Sequence, residues 1–146
     1  MRTGEQHQIL TNLKNSISKA VDKGIIVVAS SGDTGEDRIM YPAKYDKVIS
    51  VSGQGKFDKL YLNASFNEEV NYVISGEEII VQGLSHKEKT ASGSSYSSAI
   101  LSGMICFFIS KNRGVDKTNI IEKLDNYHQS DTRILKYKDL VKILKQ

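Results

Sequence analysis

The residues best suited to covalent chemistry lie in Gly93-Ser94-Ser95-Tyr96-Ser97-Ser98-Ala99-Ile100-Leu101-Ser102-Gly103, a polar Gly/Ser turn that runs into the apolar stretch from Ala99 to Ile109. Glycine permits a sharp turn. A helix starting there offers unpaired N–H groups and positive potential to an anion. A serine so placed can act as an acyl-transfer nucleophile whose own N–H helps to hold the oxyanion. The same serine can equally be a cap that satisfies the first turn of a buried helix. Ser95 is the candidate for either role.

Three further segments precede it in a definite order. Gly24-Ile25-Ile26-Val27-Val28-Ala29-Ser30-Ser31-Gly32-Asp33 is an apolar run ending in a polar turn. Tyr41-Pro42-Ala43-Lys44-Tyr45-Asp46-Lys47-Val48-Ile49-Ser50-Val51 comes next, then Ala64-Ser65-Phe66-Asn67 and Tyr72-Val73-Ile74-Ser75-Gly76. Together with the serine turn, these resemble four segments of the subtilisin-like serine proteases. Those are the strand and oxyanion loop ending A-A-G-N, the Y-P-A-x-Y-x-x-V-I-x-V segment, the A-S-F-S…v-x-A-P-G stretch and G-T-S-x-A-x-P-x-V-A-G. The resemblance covers residues 8–112 and, more loosely, the tail. It matches only the C-terminal half of a subtilase catalytic domain. It implies an α/β fold, three-layer α/β/α with a mainly parallel sheet, in which residues 1–146 form a single partial domain.

By that resemblance Ser95 is the nucleophile and Asp33 stands at the oxyanion-hole position. Ser94, Ser97 and Ala99 replace the usual threonine, alanine and proline. The weightier departure is Asp33, where most subtilases carry an asparagine that donates to the oxyanion. An ionised carboxylate has no proton to give, and losing one such donor costs about 2.7–4 kcal/mol in the transition state. A protonated Asp33 would restore a donor, and the acid-active sedolisins are similar in carrying aspartate here. A solvated turn aspartate in Gly-Asp-Thr-Gly is the alternative.

The resemblance also implies that Val28, Ala29, Ser30, Ser31 and Gly32, with Ser94, line the substrate site. Carbonyls around Ala43, Tyr45 and Val48 match a weak calcium or sodium site of some subtilases, and oxygen ligands suit those cations. A triad also needs a histidine base and an orienting aspartate. The family supplies these from D-[S/T]-G and H-G-T-H motifs, and neither precedes Gly24. His7, His86 and His128 all fall in polar surroundings and read as solvated. The chain alone is therefore expected to be inactive, with the N-terminal half of the same protease as its candidate partner and a peptide or protein as substrate.

The elements that must position these groups follow from the pattern of apolar residues. Ile9, Leu10, Leu13, Ile17, Ala20 and Val21 recur at helical spacing, and Lys23-Gly24 closes that helix. Ile25–Ala29 is a β-branched run that predicts a strand buried on both faces. Lys47–Ser52 predicts a second strand, and residues 57–82 predict short strands joined by turns. A buried helix is expected over 95–110, with amphipathic helices over Lys117–Tyr127 and Tyr137–Leu144. Cys106, inside the apolar stretch, reads as a buried inert thiol.

The composition is that of an ordinary globular chain, 39% hydrophobic and 25% charged. A formal net charge of +3 with interspersed signs implies no nucleic-acid partner. No secretory segment opens the sequence and its longest apolar run is too short to span a bilayer. Compartment stays open, although the family is usually secreted or displayed at the cell surface. Three function classes remain: an endopeptidase module, a pseudoprotease or peptide-binding module of the same fold, and an unrelated α/β domain with Ser95 as a cap.

Overall fold

The computed structural model describes residues 4–112, 114–115, 120, 122–124 and 134–145. Helix α1 spans Gly4–Asp22. It ends at Gly24, whose φ of 74° suits a residue without a Cβ and whose N–H bonds the Val21 carbonyl. Strands β1 (Val27–Ser30), β2 (Val48–Gln54) and β3 (Tyr72–Ser75) form a parallel sheet in the order β1-β2-β3. A two-stranded antiparallel hairpin, β4 (Ile79–Gln82) and β5 (Glu88–Ala91), follows. Helix α2 spans Ser94–Lys111 and packs on all three parallel strands. Helix α3 spans Tyr137–Lys145.

Alternation along the strands divides the core between the two faces of the sheet. Ile49, Val51, Tyr72 and Ile74 join Leu101, Ile105 and Phe108 of α2, together with Ile120, Leu124, Leu135, Leu140 and Ile143. On the opposite face Ala29 and Val48 join Ile39, Ala43, Tyr45 and Val70, with Ile17 of α1 packed against them. Tyr72 seals the first cluster by donating its hydroxyl to the Leu124 carbonyl. The α/β layering around a parallel sheet is thus present.

Several expectations are corrected. The run from Ile25 becomes a strand only at Val27 and is half-buried rather than covered on both faces, because β1 stands at the sheet edge. The fully enclosed strand is β2, buried from Val48 to Gly53. Cys106 is exposed, since α2 turns that side away from the sheet. Between residues 57 and 82 only β3 and β4 are strands. The Lys117–Tyr127 segment lies largely outside the described residues, although Ile120 and Glu122 to Leu124 are helical, with Ile120 and Leu124 buried one turn apart. His128 lies outside them too.

Candidate functional site at the start of helix α2

In open parallel sheets, ligands bind beyond the carboxyl ends of the strands, and the first turn of α2 sits there. All three strand ends hold it. From β1, Ser30 Oγ lies 2.6 Å from Ser94 Oγ. A Cβ on Gly53 of β2 would lie 3.6 Å from the Ser94 nitrogen. Just past β3, the Gly76 carbonyl accepts from the Gly93 N–H at 2.7 Å. One turn on, Ser97 Oγ lies 2.9 Å from the Ile74 carbonyl and 3.1 Å from that of Ser75. Ser94 and Ser97 thus fasten the helix to the sheet.

The loop after β1 brings Asp33 to the same place. Its Oδ1 accepts from the Ser94 N–H at 2.8 Å and lies 2.8 Å from Ser94 Oγ. Ser94 Oγ is also 2.9 Å from the Gly32 carbonyl. A hydroxyl has one proton, so it donates to Asp33 or to Gly32 and can accept from Ser30. The carboxylate therefore does for α2 what a capping side chain does, from 61 residues away in sequence. Asp33 Oδ2 makes no hydrogen bond among the described residues and faces Gly93, where a Cβ would come within 3.0 Å of it. Gly93 has φ 153°, a conformation that suits glycine.

The two neighbouring serines receive different environments. Ser94 is fully buried with its hydroxyl engaged. Ser95 is exposed, and its hydroxyl makes no hydrogen bond among the described residues. Ser95 thus directly follows the residue that Asp33 holds at the start of the helix.

The other residues named for this site are spread over the loop. Val28 packs toward α2 and Ala29 into the cluster on the α1 side. Ser31 is buried and donates to the Ser65 carbonyl at 2.6 Å, so its hydroxyl and that of Ser30 both bond within the protein. Gly32, at φ 113°, donates its N–H to Ser30 Oγ at 3.2 Å.

Ser65 is the residue that sequence reasoning missed. Its N–H bonds the Gly32 carbonyl, its carbonyl accepts from Ser31 and from Ser52, and its hydroxyl meets Thr34 N–H and Oγ1 at 3.2 and 2.9 Å. This fully buried serine shapes the loop that carries Asp33. Ser65→Ala leaves the Thr34 N–H unpaired, and a urea melt should show a loss of about 1–2 kcal/mol. The available signal was only that Ser65 sits inside one of the matched segments.

His7 and His86 are exposed, and His86 Nδ1 lies 3.0 Å from Gln82 Nε2 on the hairpin. Neither makes a hydrogen bond with Ser95. A cavity of about 500 Å³ beside β2 is lined by Ala43, Tyr45 and Val48 together with Glu69 and Asn71. Its oxygens are of the kind calcium or sodium takes. However, the Tyr45 carbonyl accepts from Val48 N–H, and Asn71 Oδ1 accepts from Ser50. The fit is partial. Among the described residues no three His, Cys, Asp or Glu side chains cluster as metal ligands, and no helix is long and apolar enough to cross a membrane.

Comparison with known proteins bears on this arrangement. A model of the subtilase family of serine peptidases matches residues 3–128. The thermophilic serine proteinase of Bacillus sp. (strain AK1) is 29% identical over 103 residues, which cover 70% of this chain and 26% of that protein. Subtilisin DY of Bacillus licheniformis is 30% identical over 123 residues, covering 80% and 44%. Among solved structures, the self-cleaved protease domain of PatA superposes with a TM-score of 0.79 at 18% identity, over 91% of this chain and 55% of that one. The prenylagaramide maturation protease PagA gives 0.76 at 17%, over 92% and 56%. The chain thus spans less than half the length of these curated relatives and a little over half of these solved chains. With the matched segments folded into a parallel sheet and a serine-bearing helix start, the chain belongs to the subtilase family.

Proposed function

We propose that these residues are the serine-bearing half of a subtilase-type endopeptidase catalytic domain, with Ser95 as the nucleophile. In this reading Ser95 Oγ attacks the carbonyl carbon of a peptide bond while its proton passes to a histidine. That bond then breaks to leave an acyl-enzyme and a free amine, and water releases the acid. The chain contributes the nucleophile, the Ser95 N–H, the positive end of α2 and one wall of the cleft, formed by the backbone of Val28 to Gly32. The histidine and its aspartate come from outside these residues. The observation that carries this reading is the contrast at the helix start. Ser94 is sealed, whereas Ser95 is exposed beside it.

A second reading, a peptide-binding pseudoprotease, is favoured by one specific observation. Asp33 Oδ1 already accepts from Ser94, and an ionised Oδ2 repels rather than stabilises an oxyanion. A fluorophosphonate probe separates the two. The chain alone should remain unlabelled, for want of a base. The chain assembled with the N-terminal half of a subtilase catalytic domain should be labelled, and Ser95→Ala should abolish this. An assembled complex that stays inert at every pH would favour the pseudoprotease, and labelling that survives Ser95→Ala would rule out Ser95.

A further inference from the structure

Helix α1 places His7, Leu10 and Lys14 on one face, because residues three, four and seven apart line up along a helix. That face meets the turn from Tyr41 to Asp46, and the two enclose a cavity of about 470 Å³. Two contacts hold its walls. The buried Tyr45 donates its hydroxyl to the Leu10 carbonyl at 2.7 Å, which pins the turn to the helix. The Tyr41 ring lies 4.7 Å from that of Tyr45, tilted by 45°, so a packed neighbour sets its orientation. Leu10 and the partly exposed Tyr41 ring give the cavity an apolar side.

The charges around it are one-sided. His7, Lys14 and Lys44 line the cavity, and Asp46 is the single acid that does. Elsewhere Arg38 pairs with Glu36, Lys47 with Asp22 and Lys56 with Glu78. His7, Lys14 and Lys44 make no ion pair among the described residues. A concave wall carrying mainly one sign of charge concentrates the opposite one. An apolar side with a few charged groups, at this volume, is the make-up of a small-molecule site.

We infer that this cavity binds a small aromatic phosphate monoester, its ring against Tyr41 and Leu10 and its phosphate between Lys14, Lys44 and His7. A phosphate monoester carries close to two negative charges at neutral pH and three acceptor oxygens, so it can engage several cations at once. A carboxylate, with one charge, engages fewer. None of the lining residues belongs to the wall from Val28 to Gly32 or to the start of α2, so the site stands apart from the proposed function.

Phenyl phosphate titrated into the folded chain, with amide chemical shifts followed by NMR, tests this. Saturating shifts should be confined to the first half of α1 and to residues 41–46. Inorganic phosphate, which lacks the ring, and benzoate, which lacks the second charge, should each bind about tenfold more weakly or worse. Lys14→Glu and Lys44→Glu should each weaken phenyl phosphate about tenfold or more, whereas Asp46→Asn should tighten it about threefold. Lys59→Glu, on the exposed turn after β2, should change nothing. The spectrum without ligand checks that each variant folds. Shifts that fail to saturate, lie elsewhere or survive both charge reversals would overturn the inference. Benzoate binding as tightly as phenyl phosphate would overturn it in favour of a carboxylate, and equal binding of inorganic phosphate would reduce the site to an adventitious ion only.

Discussion

Asp33→Asn is expected to raise the fluorophosphonate reactivity of Ser95 about 10²–10³-fold in the assembled catalytic unit, the magnitude associated with one oxyanion donor. The geometry explains why so small a change does this. Oδ1 already serves Ser94, through its N–H at 2.8 Å and its hydroxyl at the same distance. Asparagine keeps an oxygen there and places an NH₂ where Oδ2 stands, turning an acceptor into a donor. In the proposed mechanism it also removes a negative charge beside the position assigned to the oxyanion. The same substitution weakens the cap on α2, because hydrogen bonds to a charged group are worth more than neutral ones, so a urea melt should show a loss of about 1 kcal/mol. Gain of reactivity with loss of stability is the signature. A variant that reacts no faster than the wild type would mean that Asp33 caps the helix without facing the oxyanion.

Gly76→Ala should be the most destabilising single substitution at this end of the sheet, by about 3 kcal/mol or more, as judged by urea denaturation. A Cβ there would stand 2.4 Å from Ser97 Oγ, 2.9 Å from Gly53 Cα and 3.2 Å from the Gly93 carbonyl oxygen. Two of these three neighbours are backbone, one in β2 and one in the turn that opens α2. Neither can swing aside as a side-chain tip can. Relief requires α2 to move off the strand ends, breaking the Gly93–Gly76 and Ser97–Ile74 hydrogen bonds. Gly103→Ala is the control, because a Cβ at Gly103 meets nothing within 4 Å and alanine favours a helix. Equal losses at both positions would mean that the strand ends are not clamped on the helix start.

The exposed Cys106 and the half-buried β1 both depart from what their surroundings in sequence suggest, for one reason. An apolar run reports a tendency to be covered and says nothing about which side of the segment its neighbours cover. The Ala99 to Ile109 helix and the strand after Gly24 both read as enclosed. Within these residues each is enclosed on the side where β2 and β3 lie.

Residue order alone determined the α/β layering, the helix stop at Gly24, the strand around Val48 to Val51 and the serine turn at the head of an apolar helix. All follow from local rules of periodicity and turn chemistry acting over a few residues. The folded structure decided which of two adjacent serines is exposed, that Asp33 caps a helix 61 residues away, and that Ser65 organises the loop between them. These contacts join segments remote in sequence. Their geometry depends on how strand ends stack beneath a helix, and no residue in isolation encodes that stacking.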